Sequence, residues 1–319
     1  MKKLALLLAA LSVASVSYAK EVMPEAAPVV EEAPVVEQEV VEVKAAPVLR
    51  VTSVGQELVV EDTSSQGTKN DANIGEAVHL KNMVGLALGD TWTFDLMARK
   101  TWEASTDDAH TDGEKWDGMR SAGHRIDLQA TRHFENFSLG LRWRGEKNKD
   151  AIFLPVSYNY GMVSGWFDPA YYFVNESKGQ DYFYLEAEPV VLSYGPVQLA
   201  YYFEGYKWTG EGDGNAPTDT KSDYAHQARL RGTVYSNDAF SVGLEYRYQF
   251  AQDVEMVNGN KNVENNRHIG VLSGSYNVTE NLTLAGYYQY EFNKYEQHEG
   301  TAMDDDYYGE FGLGWTYNF

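Results

Sequence analysis

The chain has 319 residues, with 26 Lys and Arg against 47 Asp and Glu, a formal charge of -21, and no cysteine. That balance excludes a nucleic-acid binder, which needs cations to neutralise phosphates. The missing thiols exclude a disulfide framework, a cysteine-based zinc site and a thiol nucleophile, and 23 Tyr with 28 Gly do not suit a helical bundle.

Met1-Lys2-Lys3 is a short positive start, an apolar run follows to Val16, and Ser17-Tyr18-Ala19 offers small residues where a signal peptidase cuts. Residues 1–19 are therefore expected to be a secretory signal peptide, because the apolar run falls short of the ~20 residues of a spanning helix. Residues 20–47 hold Pro24, Pro28, Pro34, Pro47 and seven glutamates, with Ala-Pro-Val-Val occurring twice. Closely spaced prolines and like charges oppose helix, sheet and core, so this segment is expected to be a disordered periplasmic tether.

From residue 48 to 319 the pattern has period two, the mark of strands with one apolar and one polar face. Residues 48–61 are ambiguous, with neither parity clearly apolar. Trp92, Phe94, Leu96 and Ala98 then oppose Thr93, Asp95, Met97 and Arg99. Phe137, Leu139, Leu141 and Trp143 oppose Ser138, Gly140, Arg142 and Arg144. Pro155 and Pro169 interrupt the pattern between 150 and 180. It resumes with Val197, Leu199, Tyr201 and Phe203 against Gln198, Ala200, Tyr202 and Glu204. Phe240 to Phe250 and Leu282 to Phe292 repeat the arrangement. The last strand sets Phe311, Leu313, Trp315, Tyr317 and Phe319 against Gly312, Gly314, Thr316 and Asn318.

Tight turns at Gly89-Asp90, Glu135-Asn136, Gly195-Pro196, 236–238 and 279–281 alternate with longer polar stretches near 62–76, 103–119, 209–223, 251–266 and 293–306. Short turns at one end and long loops at the other predict an all-β, transmembrane antiparallel up-and-down barrel of about 14 strands, with 12 to 16 compatible with the ambiguous stretches. Aromatic residues mark two girdles: Trp92, Phe94, Phe134, Phe137, Phe240 and Tyr276 by the turns, and Trp102, Trp143, Tyr248, Phe250, Tyr290 and Phe292 by the loops. The expected location is the outer membrane of a Gram-negative bacterium, with lipid and lipopolysaccharide around the wall.

On this parity the inward positive residues are Arg99, Arg125, Arg142, Arg144, Arg229, Arg231 and Arg247. The inward negative ones are Asp95, Asp127, Glu186, Glu188, Glu204, Glu245, Glu291 and Glu310. Unpaired buried ions cost several kcal/mol each, so such an interior reads as a water-filled channel. Two arrangements fit it: opposed walls of charge making a transverse field, or compensating salt bridges stiffening the wall. Function is then expected to be passive diffusion of ions and small hydrophilic solutes, without cofactor or metal. The alternative is an adhesin acting through its acidic, aromatic-bearing loops.

The loop Asp107-Asp108-Ala109-His110-Thr111-Asp112-Gly113-Glu114 has alternate carboxylates. His110 and Met119 stand where a calcium loop needs oxygen ligands, so the loop reads as solvated. The histidines at 79, 110, 124, 133, 226, 268 and 298 are scattered and propose no catalytic residue. Phe311, Leu313, Trp315, Tyr317 and Phe319 are expected to be the signal read by the barrel-assembly machinery.

The opening Met1-Lys2-Lys3-Leu4-Ala5-Leu6, the processing site and Lys20-Glu21-Val22-Met23-Pro24 before a Pro/Val/Glu tether resemble the start of the major outer-membrane porins of fusobacteria. The close match covers roughly the first 24 residues, and beyond it the similarity is of architecture. The resemblance implies a general-diffusion porin, a homotrimer or a monomer, which in some members doubles as an adhesin.

Overall fold

The computed structural model describes residues 47–64, 72–104, 119–175, 179–209, 220–257, 259, 261–263, 267–293, 296–297 and 306–319. The segments expected to be a signal peptide and a tether, Pro47 apart, and the acidic loop at 107–114 lie outside the described residues.

Among the described residues there is no helix. Seventeen strands follow in order: β1 (Leu49–Ser64), β2 (Ala72–Leu88), β3 (Trp92–Ala104), β4 (Met119–His133), β5 (Phe137–Glu146), β6 (Lys149–Phe153), β7 (Val156–Tyr160), β8 (Val163–Val174), β9 (Tyr182–Tyr194), β10 (Val197–Trp208), β11 (Thr220–Ser236), β12 (Phe240–Met256), β13 (Lys261–Val263), β14 (Arg267–Asn277), β15 (Leu282–Asn293), β16 (Glu296–Gln297) and β17 (Asp306–Asn318). They form fourteen antiparallel staves. β6 and β7 make one stave interrupted at Leu154-Pro155, since both lie between β5 and β8. The short β13 and β16 pair with each other beyond the loop-side ends of β14 and β15. β1 pairs with β2 on one side and β17 on the other, which closes the sheet. Closure removes the two exposed edges that an open sheet would present.

The stretch 48–61, ambiguous in pattern, holds most of the full strand β1, and its two parities look mixed because a bulge between Val51 and Ser53 shifts the outward face by one residue. Pro169 lies inside β8 opposite Leu185 of β9 and does not break the strand. Pro155 does, because the stave divides there. One connection departs from the expected alternation. The β5–β6 link at 147–148 is a tight turn on the side where the other connections are long.

The outward face is apolar and uncovered. Leu244, Leu272, Tyr288 and Phe311 stand side by side on four successive staves, each about half exposed. Leu139, Leu141, Leu199, Leu230 and Leu313 continue the belt. A soluble monomer does not leave so extended an apolar surface to water. A closed barrel, with every backbone group paired inside the sheet, is one of the two structures that can cross a bilayer. The protein is a transmembrane β-barrel. At the turn end the belt finishes in aromatic residues, where the Arg132 guanidinium lies 5.7 Å from the Trp92 ring and 5.1 Å from that of Phe134.

Candidate functional site

Strand register places all fifteen charged residues expected inside on one face of the sheet. Asp95 faces Gln129, Met97 faces Asp127, and Arg99 faces Arg125. Asp127 faces Arg144 in turn. Glu186 faces Glu204, Arg229 faces Arg247, and Arg231 faces Glu245. Glu291 shares this face with Gln289, which lies opposite Glu310. The contacts identify the face as concave, because its side chains meet across intervening strands. Arg144 of β5 donates to the Tyr172 hydroxyl of β8 at 2.8 Å, and Arg229 of β11 donates to Glu188 of β9 at 3.1 Å.

The arginines are compensated locally rather than massed into one wall. Asp127 takes Arg125 at 2.5 Å and Arg144 at 3.1 Å. Arg142 pairs with Asp168 of β8. Glu188, almost fully buried, takes Arg229 at 3.1 Å and Arg231 at 2.7 Å. Arg247 pairs with Glu245 at 2.9 Å. Across the closure, Lys81 pairs with Glu57 at 2.6 Å, His79 bridges Glu61 and Thr101, and Arg267 pairs with Glu291. Of the two arrangements open at the sequence level, the salt-bridged wall accounts for most of the arginines. The reason is the register, which sets each guanidinium within one or two strands of a carboxylate. Among the described residues Arg99 is the exception, without an ion pair and with a buried Nε that has no hydrogen-bond partner.

Several carboxylates are held by hydroxyls instead of cations. Tyr184 donates to Glu186 at 2.8 Å, Tyr202 lies 3.1 Å from both Glu186 and Glu204, and Tyr206 donates to Glu204 at 2.8 Å. Glu310 accepts from Tyr287 and, at 2.7 Å, from Tyr308. Tyrosine satisfies a carboxylate's lone pairs without cancelling its charge, so these sites keep their negative field. Asp95 is exposed near the turn end. The unpaired inward charge is therefore mainly negative.

Sequence reasoning missed an aromatic block on this face. Phe153 and Tyr172 sit edge to face at 5.6 Å, Tyr172 stacks on Tyr182 at 4.5 Å, and Tyr206 and Trp208 extend the group. Arg142 and Arg144 lie 4.0 and 4.5 Å above the Phe153 ring. Stacked on it, they keep their cationic faces desolvated but compensated. Glu57, Glu61, Lys81, Asp168 and Arg267 were missed too: Glu57 and Glu61 lie in the ambiguous stretch 48–61 and Asp168 in the interrupted one at 150–180, while Lys81 and Arg267 belong to strands whose alternation was not set out. Asp168 stands next to Pro169, which hid the parity of β8. Counting parity back from the Trp166 to Tyr172 stretch would have found it.

Towards the loops the inward side chains pack closely, with Gln249, Ile269 and Glu291 all buried. Towards the turns the face opens. Asp95, Ser157, Ser273 and Ala285 are exposed there although they point into a closed barrel. A cavity of about 650 Å³ lies between Gln198, Arg231, Arg247, Ser273 and Glu310. Among the described residues no group of histidine and acidic side chains has the geometry of a metal site.

No family model matches the chain, and no curated protein matches it. Among solved structures it is similar to a bacterial polysaccharide outer membrane secretin, at 10% identity over 83% of this chain and 98% of that one, with a TM-score of 0.49. It is also similar to OmpT, an outer membrane protein of Vibrio cholerae, at 10% identity over 88% of this chain and 100% of that one, TM-score 0.44. An anion-selective porin from Comamonas acidovorans matches at 13% identity over 85% and 100%, TM-score 0.42. At these scores the likenesses attach no function to the chain.

Proposed function

We propose that the protein is a porin of a bacterial outer membrane, a passive channel for ions and small hydrophilic solutes with a preference for cations. One observation carries this reading: exposed inward residues at Asp95, Ser157, Ser273 and Ala285 inside a closed barrel. Side chains facing the interior stay exposed only where water fills it, and a charged, hydrated lumen is what conducts ions. The sign follows from the wall chemistry. The arginines are mostly paired, whereas Glu186, Glu204 and Glu310 are held by tyrosine hydroxyls and Asp95 has no ion pair among the described residues. The fusobacterial resemblance of the first 24 residues points the same way.

Planar-bilayer recording of the refolded protein under a salt gradient tests both parts. Stepwise conductance with a cation-selective reversal potential is expected. In the Glu186→Gln, Glu204→Gln double variant that potential moves toward zero while conductance persists. A silent barrel would remove the channel reading, and an anion-selective one would remove the assignment of the unpaired carboxylates.

We further propose that the terminal strand is the signal recognised during barrel assembly, with a homotrimer as one outcome of that assembly. Supporting this, Phe319 closes the outward row of β17, its ring lies 5.0 Å from that of Tyr317, and its amide donates to the Thr52 carbonyl at 3.0 Å. Deleting Phe319 is expected to lower the yield of heat-modifiable folded protein in membranes several-fold. An unchanged yield would leave the residue with no such role.

A further inference from the structure

We infer that the lumen holds a saccharide subsite at Trp166, specific for the pyranose ring of an acidic sugar. This rests on the channel reading, because the ligand reaches the site only through an open lumen. Trp166 lines a second inward cavity of about 360 Å³ with Arg229, Arg231 and Gln198, within the roughly 300–1,000 Å³ usual for small-molecule sites.

The indole is unlike the other inward aromatics. Tyr172, Tyr182, Tyr184, Tyr206 and Trp208 stack on one another and are committed to the wall. The Trp166 residue is half-buried, and its indole makes no ring contact or side-chain hydrogen bond with any described residue. A large apolar plate left to face a polar cavity is the surface on which the flat apolar face of a pyranose stacks, while its hydroxyls meet polar neighbours. The Ser157 and Ser164 hydroxyls and the Gln198 amide border the same space.

Backbone geometry holds the plate in place. The β8–β9 register slips between Ser164 and Trp166, and a Cβ on Gly165 would fall 2.8 Å from the carbonyl oxygens of Glu188 and Pro189. Only glycine allows that approach. The Tyr158 hydroxyl ties down the same bulge by donating to the Pro189 carbonyl at 2.5 Å.

Charge selects an acidic ligand. Arg229 and Arg231 share the single carboxylate of Glu188, so the trio has one excess positive charge. Each guanidinium has five N–H donors. Arg229 uses three, toward Gln227 and Glu188, and Arg231 uses three, toward Gln198 and Glu188. The remaining donors of the two side chains suit a sugar carboxylate, the planar partner that guanidinium binds best.

The test is current block in planar bilayers by trigalacturonate, with maltotriose as the neutral control. Trigalacturonate is expected to interrupt the current and maltotriose to leave it unchanged. Trp166→Ala should conduct normally with block weakened about tenfold or more. An unblocked conducting wild type, equal block by maltotriose, or full block of Trp166→Ala would each overturn the proposal. If the wild type does not conduct, the channel reading fails, and equilibrium dialysis of labelled trigalacturonate with the detergent-folded barrel decides the site separately. Binding that Trp166→Ala abolishes supports it, and no binding overturns it. Should Trp166→Ala not fold, Trp166→Leu replaces it, removing the flat plate but keeping apolar bulk, with the same expected loss.

Discussion

Glu188→Gln is expected to destabilise the folded barrel by about 3–5 kcal/mol, nearer the lower figure because Arg231 retains 29% side-chain exposure. Glu188 is 3% exposed in its side chain and is the only ion-pair partner of both Arg229 and Arg231 among the described residues. The neutral amide keeps the shape and one acceptor oxygen but leaves two guanidiniums side by side without an anion. Arg229 is the worse placed, at 11% side-chain exposure and 3.4 Å above the Tyr202 ring. Removing one partner of a buried pair costs more than the pair itself contributes, because the remaining charge is left desolvated. Urea titration of the barrel folded in lipid vesicles measures this directly. A midpoint equal to that of wild type would mean that water already solvates both arginines and that the network is not buried in any energetic sense.

The second large effect tests which side of the wall meets lipid. Leu272→Arg is expected to cost about 2–4 kcal/mol and to reduce membrane assembly sharply, because it places a charge in the apolar belt near mid-strand. Ser273→Arg, one residue later, should assemble like wild type. Ser273 faces the lumen, is exposed, and lines the larger inward cavity. The two variants differ by one position in sequence and by the whole thickness of the sheet in environment. Folded yield by heat-modifiable gel migration reads both. Equal tolerance of the two substitutions would remove the distinction between lipid-facing and lumen-facing sides.

The β10, β12, β15 and β17 segments were legible from sequence because each borders lipid on one side and a polar lumen on the other, and that contrast writes itself as strict alternation. The fifteen inward charges were legible for the same reason. Where the alternation is interrupted, sequence reasoning lost the strand: β1 switches its outward parity at the bulge between Val51 and Ser53, so that Leu49 and Val51 share a face with Val54, Leu58 and Val60, and the β6–β7 stave is divided at Pro155. The aromatic block around Phe153 and Tyr172 was invisible because it inverts the rule, with large rings facing inward. Trp166 follows the even parity of Asp168, Ala170 and Tyr172, because the slip between Ser164 and Trp166 puts its extra residue into β9 and leaves the alternation of β8 intact.

The sequence by itself determined the barrel, its even count of staves and the face of fifteen of the inward charges, since a period of two and the alternation of short and long connections are local properties of the chain. Only the tertiary structure decided which charges are neutralised. Glu188 meets arginines 41 and 43 residues away, Arg142 meets Asp168 26 residues away, and Glu186 and Glu204 meet tyrosines instead of cations. Partner choice depends on stagger between strands and on bulges that shift it by one residue. No periodicity in the chain records either, yet together they set which carboxylates keep their field inside the lumen.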